Sequence, residues 1–439
     1  MIRRGIFNNE AITKIIKNSS WLVSDKVITM IVGVFVTAIV ARYFGPEKFG
    51  QFNYALAFVT LFTAISTLGL ETLTVKSILD KKFDEGTILC TSLILRIASG
   101  GILTIFSIII IKIIEPSDFN LHILVLIMSI AMVIKAFEVI EYWVQAHQKA
   151  KISSIIRMVV YIISSGLKIF LVFMNGTVLQ YATILIIDAL LIGFALMIAY
   201  FKFRENSSLW RFNFQYARTI LSQSWHLIIS GLMVTLYMRI DQVMLGSMAT
   251  DTELGVYSAA VRIAEMWYFI PMALIISFKP VIMKNKKENE HKYFNSIQIL
   301  YSIVTWMGIL FTLIILIFSK LIISILYGEQ FLQAANILSI SVFAGTLAML
   351  GSARSIWMIS EGLQRYTIIY TIAGLIVNVT LNLIFIPRFG GFGAATATLV
   401  AQVVNILVLF LFKETRISTI MIIKSFRPIN LFKYLKLNK

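Results

Sequence analysis

The chain has 439 residues, of which 58% are hydrophobic and 14% are charged, and its formal net charge is +17 at pH 7. A soluble domain cannot shield so much apolar surface from water, so this composition excludes an ordinary soluble protein and predicts an all-α integral membrane protein. The single cysteine, Cys90, excludes an internal disulfide, and the four histidines lie far apart in sequence. No metal site and no cofactor are therefore expected.

About twelve apolar stretches follow one another along the chain, each close to the twenty or so residues that a helix needs to cross a bilayer. The predicted spans are residues 19–41, 51–75, 87–111, 120–141, 152–173, 178–201, 219–246, 255–278, 296–318, 334–360, 366–386 and 392–412. Glycine and proline lie at several joins, such as Gly45-Pro46 and Gly390-Gly391, as expected of residues that end helices. We therefore predict about twelve transmembrane helices.

Basic residues are distributed unevenly between the segments that join these spans. With the N-terminus inside, the inner segments hold 26 Lys and Arg residues and the outer loops hold 5. Cytoplasmic loops of membrane proteins are enriched in Lys and Arg, so both termini are predicted to be cytoplasmic. The positive net charge then reflects this topology and the anionic inner leaflet, and no nucleic-acid partner is predicted.

Short matches about 205 residues apart indicate an internal repeat. Ser19-Ser20-Trp21 is similar to Gln223-Ser224-Trp225, and Gly50-Gln51-Phe52 is similar to Gly255-Val256-Tyr257. Because six helices separate the copies, both begin on the same side of the membrane and are parallel repeats. The predicted organisation is an N-terminal six-helix lobe at 1–201, a cytoplasmic linker at 202–218, a C-terminal six-helix lobe at 219–412 and a basic interfacial tail at 413–439.

Charged residues occur inside the predicted spans, where a charge costs at least about 2.5 kcal/mol and normally faces a partner or a wet cavity. The eight basic ones are Lys26, Arg96, Lys135, Arg157, Lys168, Arg239, Arg262 and Arg354. The seven acidic ones are Asp25, Glu71, Glu138, Glu141, Asp188, Asp241 and Glu265. A bundle with a dry apolar interior does not need them, whereas a hydrated path for a polar substrate does.

Several of these charges also have a structural interpretation. Long side chains near the inner ends of helices can snorkel or pair, which applies to Lys135, Glu138, Glu141 and Arg157, with the same reading for Glu71, Lys168 and Arg354. Arg96 and Asp188 lie at similar depths in the first lobe and could form a stabilising ion pair. In the second lobe, Asp241 could pair with Arg262, and Glu265 at i+3 could compete for Arg262.

Three stretches resemble the polysaccharide flippases of the MOP superfamily, the O-antigen translocases that carry lipid-linked repeat units. The first is 41–76, and its pattern residues are Arg42, Gly45, Pro46, Gly50, Tyr54 and Leu68-Gly69-Leu70. The second is RIDQVMLGSMATDTELGVYSAAVRIAEMWYFIP at 239–271, and the third is PRFGGFGAATATLVAQ at 387–402. The resemblance implies two six-helix bundles around a central cavity that opens alternately inward and outward, and a polyprenyl-linked glycan as cargo.

The resemblance also implies roles for individual residues. In related flippases, cations on the first helix of each lobe or its neighbour engage the pyrophosphate, and Lys26 and Arg262 match by location. The other candidate substrate-binding cations are Arg96 and Arg239. The candidates for ion coupling or charge pairing are Asp25, Asp188, Asp241 and Glu265. Pro271, inside the eighth span, is interpreted either as a packing kink or as a hinge for alternating access.

The predicted function is to flip a polyprenyl-(pyro)phosphate-linked oligosaccharide from the inner to the outer leaflet of the bacterial inner membrane, for an O-antigen-like polysaccharide. The expected partners are that lipid-linked glycan and membrane lipids, with a glycan polymerase and a chain-length regulator as further candidates. No bond needs to be made or broken, so the chain is not expected to be an enzyme.

Two alternative functions remain open. One is a cation-coupled drug or metabolite antiporter of the same superfamily, with Asp25 or Asp241 as the ion site. The other is a membrane glycan polymerase or ligase. Such enzymes usually have a large outer loop, whereas the longest predicted outer loop here is 319–333.

Overall fold

A computed structural model of the chain describes residues 9–204 and 209–427. All regular structure in these two ranges is helical. The start of the N-terminal segment (1–8), part of the predicted linker (205–208) and the end of the predicted tail (428–439) fall outside the described residues, as do the side chains of residues 9–19, 22 and 23.

The described residues form fourteen α-helices, which are numbered in chain order. They are α1 (Asn9–Ser66), α2 (Leu70–Asp80), α3 (Glu85–Ile114), α4 (Phe119–Ile134), α5 (Ile140–Ala146), α6 (Ala150–Phe173), α7 (Val178–Phe203), α8 (Phe214–Met248), α9 (Asp251–Met266), α10 (Phe269–Glu288), α11 (Glu290–Tyr327), α12 (Ala334–Ser360), α13 (Arg365–Leu407) and α14 (Arg416–Ser425). Short 3-10 helices lie at Lys135–Val139, Glu329–Phe331 and Val408–Leu411.

Ten helical stretches of the described residues are long and apolar enough to cross a membrane. The protein is therefore an all-α, multi-pass membrane protein, which confirms the class that the composition predicts. The first stretch, Ser24–Asp80, and the last, Arg365–Leu411, have 57 and 47 residues. At 1.5 Å per residue both are far longer than the roughly 30 Å hydrocarbon core of a bilayer.

Each of these two long stretches is interrupted at a glycine. Gly45 has φ 73° and ψ 172°, and Gly390 has φ 51° and ψ −133°, which are conformations that favour glycine. The chain turns back after Gly390, since a Cβ on Gly393 would lie 2.4 Å from the carbonyl oxygen of Phe385, eight residues earlier. Eight residues of straight helix would instead advance about 12 Å. Both interruptions fall at predicted joins between spans. They support the predicted number of twelve membrane crossings, which stays a prediction.

A further interruption immediately precedes Pro271. Helix α9 ends at Met266, α10 begins at Phe269, and the N–H of Ile270 donates to the carbonyl of Trp267 at 3.1 Å. Proline has no N–H, so Pro271 cannot donate to that carbonyl and continue the α-helical pattern. The bend expected from Pro271 is thus present as a helix break, while a hinge motion at this position stays a prediction.

The chain divides into two compact units. The first comprises Met1–Tyr43 and Ala55–Thr235, and the second comprises Phe44–Tyr54 and Leu236–Lys439. Each has its own apolar core, which includes buried Trp143 in the first unit and buried Trp357 in the second. The predicted membrane lobes with boundaries at 201 and 219 stay a prediction.

The segment Phe44–Tyr54 packs inside the second unit through very close backbone contacts. A Cβ on Gly50 would lie 1.8 Å from the carbonyl oxygen of Asp251, and a Cβ on Gly255 would lie 1.9 Å from that of Pro46. Each glycine therefore faces the carbonyl four residues before the other glycine, an approach that any side chain would block. These are the same two glycines that the proposed sequence repeat aligns.

The described part of the predicted tail forms a packed helix, α14. The hydroxyl groups of Tyr301 and Ser418 lie 3.0 Å apart, and those of Thr305 and Ser425 lie 2.7 Å apart, so α14 turns its hydroxyl residues towards α11. The apolar side chain of Ile423, also on α14, is exposed. The tail is thus anchored to the second unit, and its position at the inner membrane surface stays a prediction.

Candidate functional site

A buried carboxylate surrounded by polar side chains lies within the second unit. Asp241, on α8, is 5% exposed. Its Oδ1 accepts a hydrogen bond from Asn382 Nδ2 at 2.7 Å, and its Oδ2 accepts one from the Tyr257 hydroxyl at 3.1 Å. The hydroxyl of Thr398 also donates to Oδ2. Four segments supply these groups: α8, α9 and the two arms of α13 on either side of Gly390. The turn at Gly390 therefore helps to build this site.

Further oxygen atoms extend the site around Asp241. Asn378 lies one turn before Asn382, and its Oδ1 accepts from Asn382 Nδ2 at 3.2 Å. The Oδ1 of Asn382 is buried and has no hydrogen-bond partner within the described residues. One carboxylate with neutral amide and hydroxyl oxygens is a donor set suited to a hard cation of low charge. Among the described residues, no group of three or more His, Cys, Asp or Glu residues could hold a metal ion.

The structure corrects the predicted pairing of Asp241 with Arg262. Arg262 is exposed on α9 and makes no ion pair within the described part of the chain. Glu265 does not pair with Arg262 either, because its Oε1 lies 3.6 Å from Nη1 of Arg239. The spacing along one helix allowed the Arg262–Glu265 pair, but the neighbouring helix α8 places Arg239 within reach of Glu265. Asp241 meanwhile has three hydrogen-bond donors, and no cation of the described residues contacts it.

The first unit holds a separate cluster of charges around Arg157. The Arg157 guanidinium contacts Glu141 directly and lies 3.5 Å from Glu138. Asp25, 8% exposed, interacts electrostatically with Arg157 and Glu141, and its Oδ1 is buried without a hydrogen-bond partner in the described residues. Long side chains near the inner helix ends are expected to snorkel or pair, and Arg157 pairs with Glu138 and Glu141. Three acidic groups thus lie around Arg157, and Lys26 also interacts electrostatically with Asp25.

Lys26 follows Asp25 on α1 and differs from it in environment. Its side chain is exposed, whereas Asp25 is buried. Lys26 forms no ion pair with any residue whose side chain the structure describes. An exposed cation on an apolar helix of the membrane region is available to an anionic partner.

Arg96 and Asp188 do not form the ion pair that the sequence suggested. The Nη1 of Arg96 donates to the Tyr142 hydroxyl at 3.2 Å, and the guanidinium carbon lies 5.9 Å from the centre of that ring. Asp188 accepts from the Ser164 hydroxyl at 2.7 Å. Equal depth in the membrane was the argument for the pair, and depth does not determine the direction in which a helix presents its side chains.

Three further intramembrane charges, Glu71, Lys168 and Arg354, have local partners. Glu71 accepts from Gln145 Nε2 at 2.9 Å, and Lys168 lies 5.8 Å from the ring centre of Tyr161. Arg354 is completely buried on α12, with its guanidinium carbon 4.1 Å from the Tyr370 ring centre. The structural interpretation of these residues is thus supported by their contacts.

Sequence reasoning missed the neutral half of the Asp241 site. Asn378, Asn382, Thr398 and Tyr257 carry no charge, so they were not among the candidates. A signal was present, since two asparagines one turn apart on an otherwise apolar helix would face the same direction. Buried amides in a membrane helix need partners, which makes such a pair informative.

Comparison with known proteins identifies the family. The model of the polysaccharide biosynthesis protein family matches residues 15–285, and that of the MatE family matches residues 227–384. A probable low-salt glycan biosynthesis flippase of Haloferax volcanii is 25% identical over 232 residues. That match covers 50% of this chain and 47% of the relative, so it spans about half the length of the relative.

Solved structures show the same fold. The lipid II flippase MurJ in an inward closed conformation superposes with a TM-score of 0.72 at 17% identity, covering 94% of this chain and 92% of that chain. A MOP superfamily transporter from Pyrococcus furiosus gives a TM-score of 0.64 at 19% identity, and the match covers 92% of this chain and 96% of that chain. These relatives are described as flippases or transporters. The chain, a multi-pass α-helical membrane protein, therefore belongs to the polysaccharide biosynthesis protein family and has the MOP superfamily fold.

Proposed function

We propose that the protein flips a polyprenyl-(pyro)phosphate-linked oligosaccharide repeat unit from the inner to the outer leaflet, for the synthesis of an O-antigen-like surface polysaccharide. The observation that carries this proposal is the match of residues 15–285 to the polysaccharide biosynthesis protein family. The relative described as a probable glycan biosynthesis flippase supports it.

In this proposal Lys26 and Arg262 hold the anionic linker of the substrate. Both side chains are exposed, and neither forms an ion pair with a described side chain. Lys26 interacts electrostatically with Asp25, and Arg262 with Tyr327, but no described carboxylate contacts either cation. Each can therefore bind phosphate oxygens, whereas Arg157 is already occupied by two glutamates. Arg239 and Arg96 have protein partners and are secondary candidates. Pro271 would provide the hinge of alternating access.

Asp241 is the proposed site of ion coupling. A monovalent cation could take its ligands from the Asp241 carboxylate, the Asn378 and Asn382 side-chain oxygens and the Thr398 hydroxyl. The unsatisfied Asn382 Oδ1 supports this assignment, because a buried carbonyl oxygen without a donor is costly unless an ion or proton donor occupies the site. Asp25, with its buried and unpartnered Oδ1, is the corresponding candidate in the first unit.

The proposed location is the bacterial inner membrane with both termini in the cytoplasm. The excess of Lys and Arg in the predicted inner segments supports this orientation. The lipid-linked glycan and membrane lipids are the proposed partners. A glycan polymerase and a chain-length regulator would act on the transported unit at the outer leaflet.

Deletion of the gene in the native host tests the function. Loss of transport should abolish the surface polysaccharide and leave the lipid-linked unit on the inner leaflet, where an impermeant glycosidase added outside intact cells cannot reach it. Complementation with the wild-type gene should restore the surface polysaccharide and the transfer of the lipid-linked unit to the outer leaflet. If the unit is instead found on the outer leaflet but unpolymerised, the protein is a polymerase and the proposal fails.

A cation-coupled antiporter is the second candidate function. The match of residues 227–384 to the MatE family and the buried Asp241 within that range favour it. The same deletion strain distinguishes the two functions. Altered resistance to cationic drugs with an intact surface polysaccharide would identify an antiporter.

A further inference from the structure

A row of two separate side-chain hydrogen bonds, beginning with that of Asp241 and Thr398, joins α8 to α13 inside the second unit. Tyr237 precedes Asp241 by one turn on α8, and Asn405 follows Thr398 by two turns on α13. The Nδ2 of Asn405 donates to the Tyr237 hydroxyl at 2.8 Å. The two helices thus meet twice along one face, once at Asp241 with Thr398 and once at Tyr237 with Asn405.

A buried arginine lies at the far end of this row. The Nη1 of Arg354 donates to the backbone carbonyl of Asn405 at 3.0 Å. Arg354 is fully buried, and no carboxylate within the described residues pairs with it. Its Nε and the Oδ1 of Asn405 are both buried without hydrogen-bond partners in the described chain. Such a cation needs a negative charge in its surroundings, because an isolated buried charge is very costly.

Asp241 and Arg354, at the two ends of this row, have charges of opposite sign, and neither forms an ion pair with a described residue. Tyr237 interacts electrostatically with both Asp241 and Arg354. The seven residues from Thr398 to Asn405 correspond to a rise of about 10 Å along the helix, which sets the scale of the separation between the two charges. At that distance, in an interior with an effective dielectric constant of about 20, the charge of Arg354 still changes the affinity of Asp241 for a cation by on the order of tenfold.

We propose that Arg354 is a fixed counter-charge whose electrostatic field, acting across the Tyr237–Asn405 contact, sets the cation affinity of the Asp241 site. This inference rests on the proposed ion site at Asp241. While the site is empty, Arg354 stabilises the ionised carboxylate. Once a cation binds Asp241, the same positive charge repels it, so the ion is held weakly enough to leave. Arg354 does not touch the ion and is therefore a positioning residue.

The experiment measures Na⁺ binding to the purified full-length protein in detergent. Na⁺ is varied against choline at constant ionic strength, and the half-saturation concentration is read from tryptophan fluorescence and from the melting temperature. Arg354→Gln should bind Na⁺ on the order of tenfold more tightly than wild type, because the repelling charge is gone. Arg354→Lys keeps the charge and should stay within about twofold of wild type. Asp241→Asn should abolish the response.

Lys168→Gln is the matched control. Lys168 is also an intramembrane cation that lies near a tyrosine ring, but it belongs to the first unit. It should leave Na⁺ half-saturation unchanged. If Arg354→Gln lowers the melting temperature but not the half-saturation concentration, Arg354 is only a packing element and the proposal is overturned.

A second variant covers the case in which Arg354→Gln yields no folded protein. Asp241→Asn in the same chain removes the charge that Arg354 balances, so the double variant should recover yield; failure to recover would overturn the proposal. The flippase function is tested separately by the deletion strain. If wild-type protein restores polysaccharide but shows no Na⁺ response, the counter-charge inference is wrong and the flippase function stands.

Discussion

Replacement of Asp241 separates a coupling role from a structural role. Its carboxylate is the acceptor for three donors, and Asp241→Ala removes that acceptor from all three. Two of them have an alternative in place. The Thr398 hydroxyl is also 3.0 Å from the carbonyl of Ala394, and the Asn382 amide is 3.2 Å from Asn378 Oδ1. Only the Tyr257 hydroxyl would lose its partner.

The expected loss of stability follows from the number of buried groups left without a partner. One unsatisfied buried donor costs about 1–3 kcal/mol, and removal of a desolvated carboxylate offsets part of this cost. We therefore expect Asp241→Ala to lose no more than about 3 kcal/mol of stability. Asp241→Asn should lose less, because its amide oxygen still accepts and its NH₂ can donate to Tyr257. Both variants should remain folded and inserted.

The assay combines yield with function. Fluorescence-detected gel filtration measures folded protein in detergent, and restoration of surface polysaccharide in the deletion strain measures transport. Both variants should give near-normal yield and lose cation-dependent transport. If Asp241→Asn transports with the same cation dependence as wild type, Asp241 is not the coupling site. If Asp241→Asn fails to fold, the ionised carboxylate is required for stability and the proposed separation of the two roles fails.

Three further predictions concern other positions. Lys26→Ala and Arg262→Ala should each block transport while leaving yield unchanged, and Lys26→Arg should be milder because the charge survives; a loss of Arg262→Ala protein would restore the structural interpretation of Arg262. Gly255→Ala should destabilise the second unit by about 1–3 kcal/mol, because the new methyl group meets the backbone; an unchanged melting temperature would contradict this. A single cysteine placed in 279–295, with Cys90 replaced, should resist an impermeant thiol reagent applied outside cells; labelling would overturn the predicted topology.

Much of the fold was predictable because membrane insertion depends on composition. Long apolar stretches must become helices when no water is available to the backbone, so the all-α class and most element positions follow from hydropathy alone. The breaks at Gly45 and Gly390 were also predictable as joins, since glycine signals a turn. The sequence could not show that the residues just after Gly45 pack with the second unit, because that depends on the contact of Gly50 with Gly255.

The candidate site was predicted only in part. Charge alone selected Asp241, Arg262 and Glu265, because charges are costly in a membrane and therefore conspicuous. Their partners could not be selected in this way. Two of the three neutral groups that hold Asp241, on Asn382 and Thr398, are more than 100 residues away in sequence. Glu265 binds Arg239 on the preceding helix instead of Arg262 on its own.

The sequence by itself determined that this protein lies in a membrane, that it is helical, and which few residues carry charge into the apolar region. Those properties are local, since each depends on the transfer free energy of a short stretch of chain. Only the tertiary structure decided which charges are paired, because the rotation of each helix about its axis determines the direction of its side chains. That rotation is set by packing between distant segments, as at Asp241, where the turn at Gly390 brings Asn382 and Thr398 to one carboxylate.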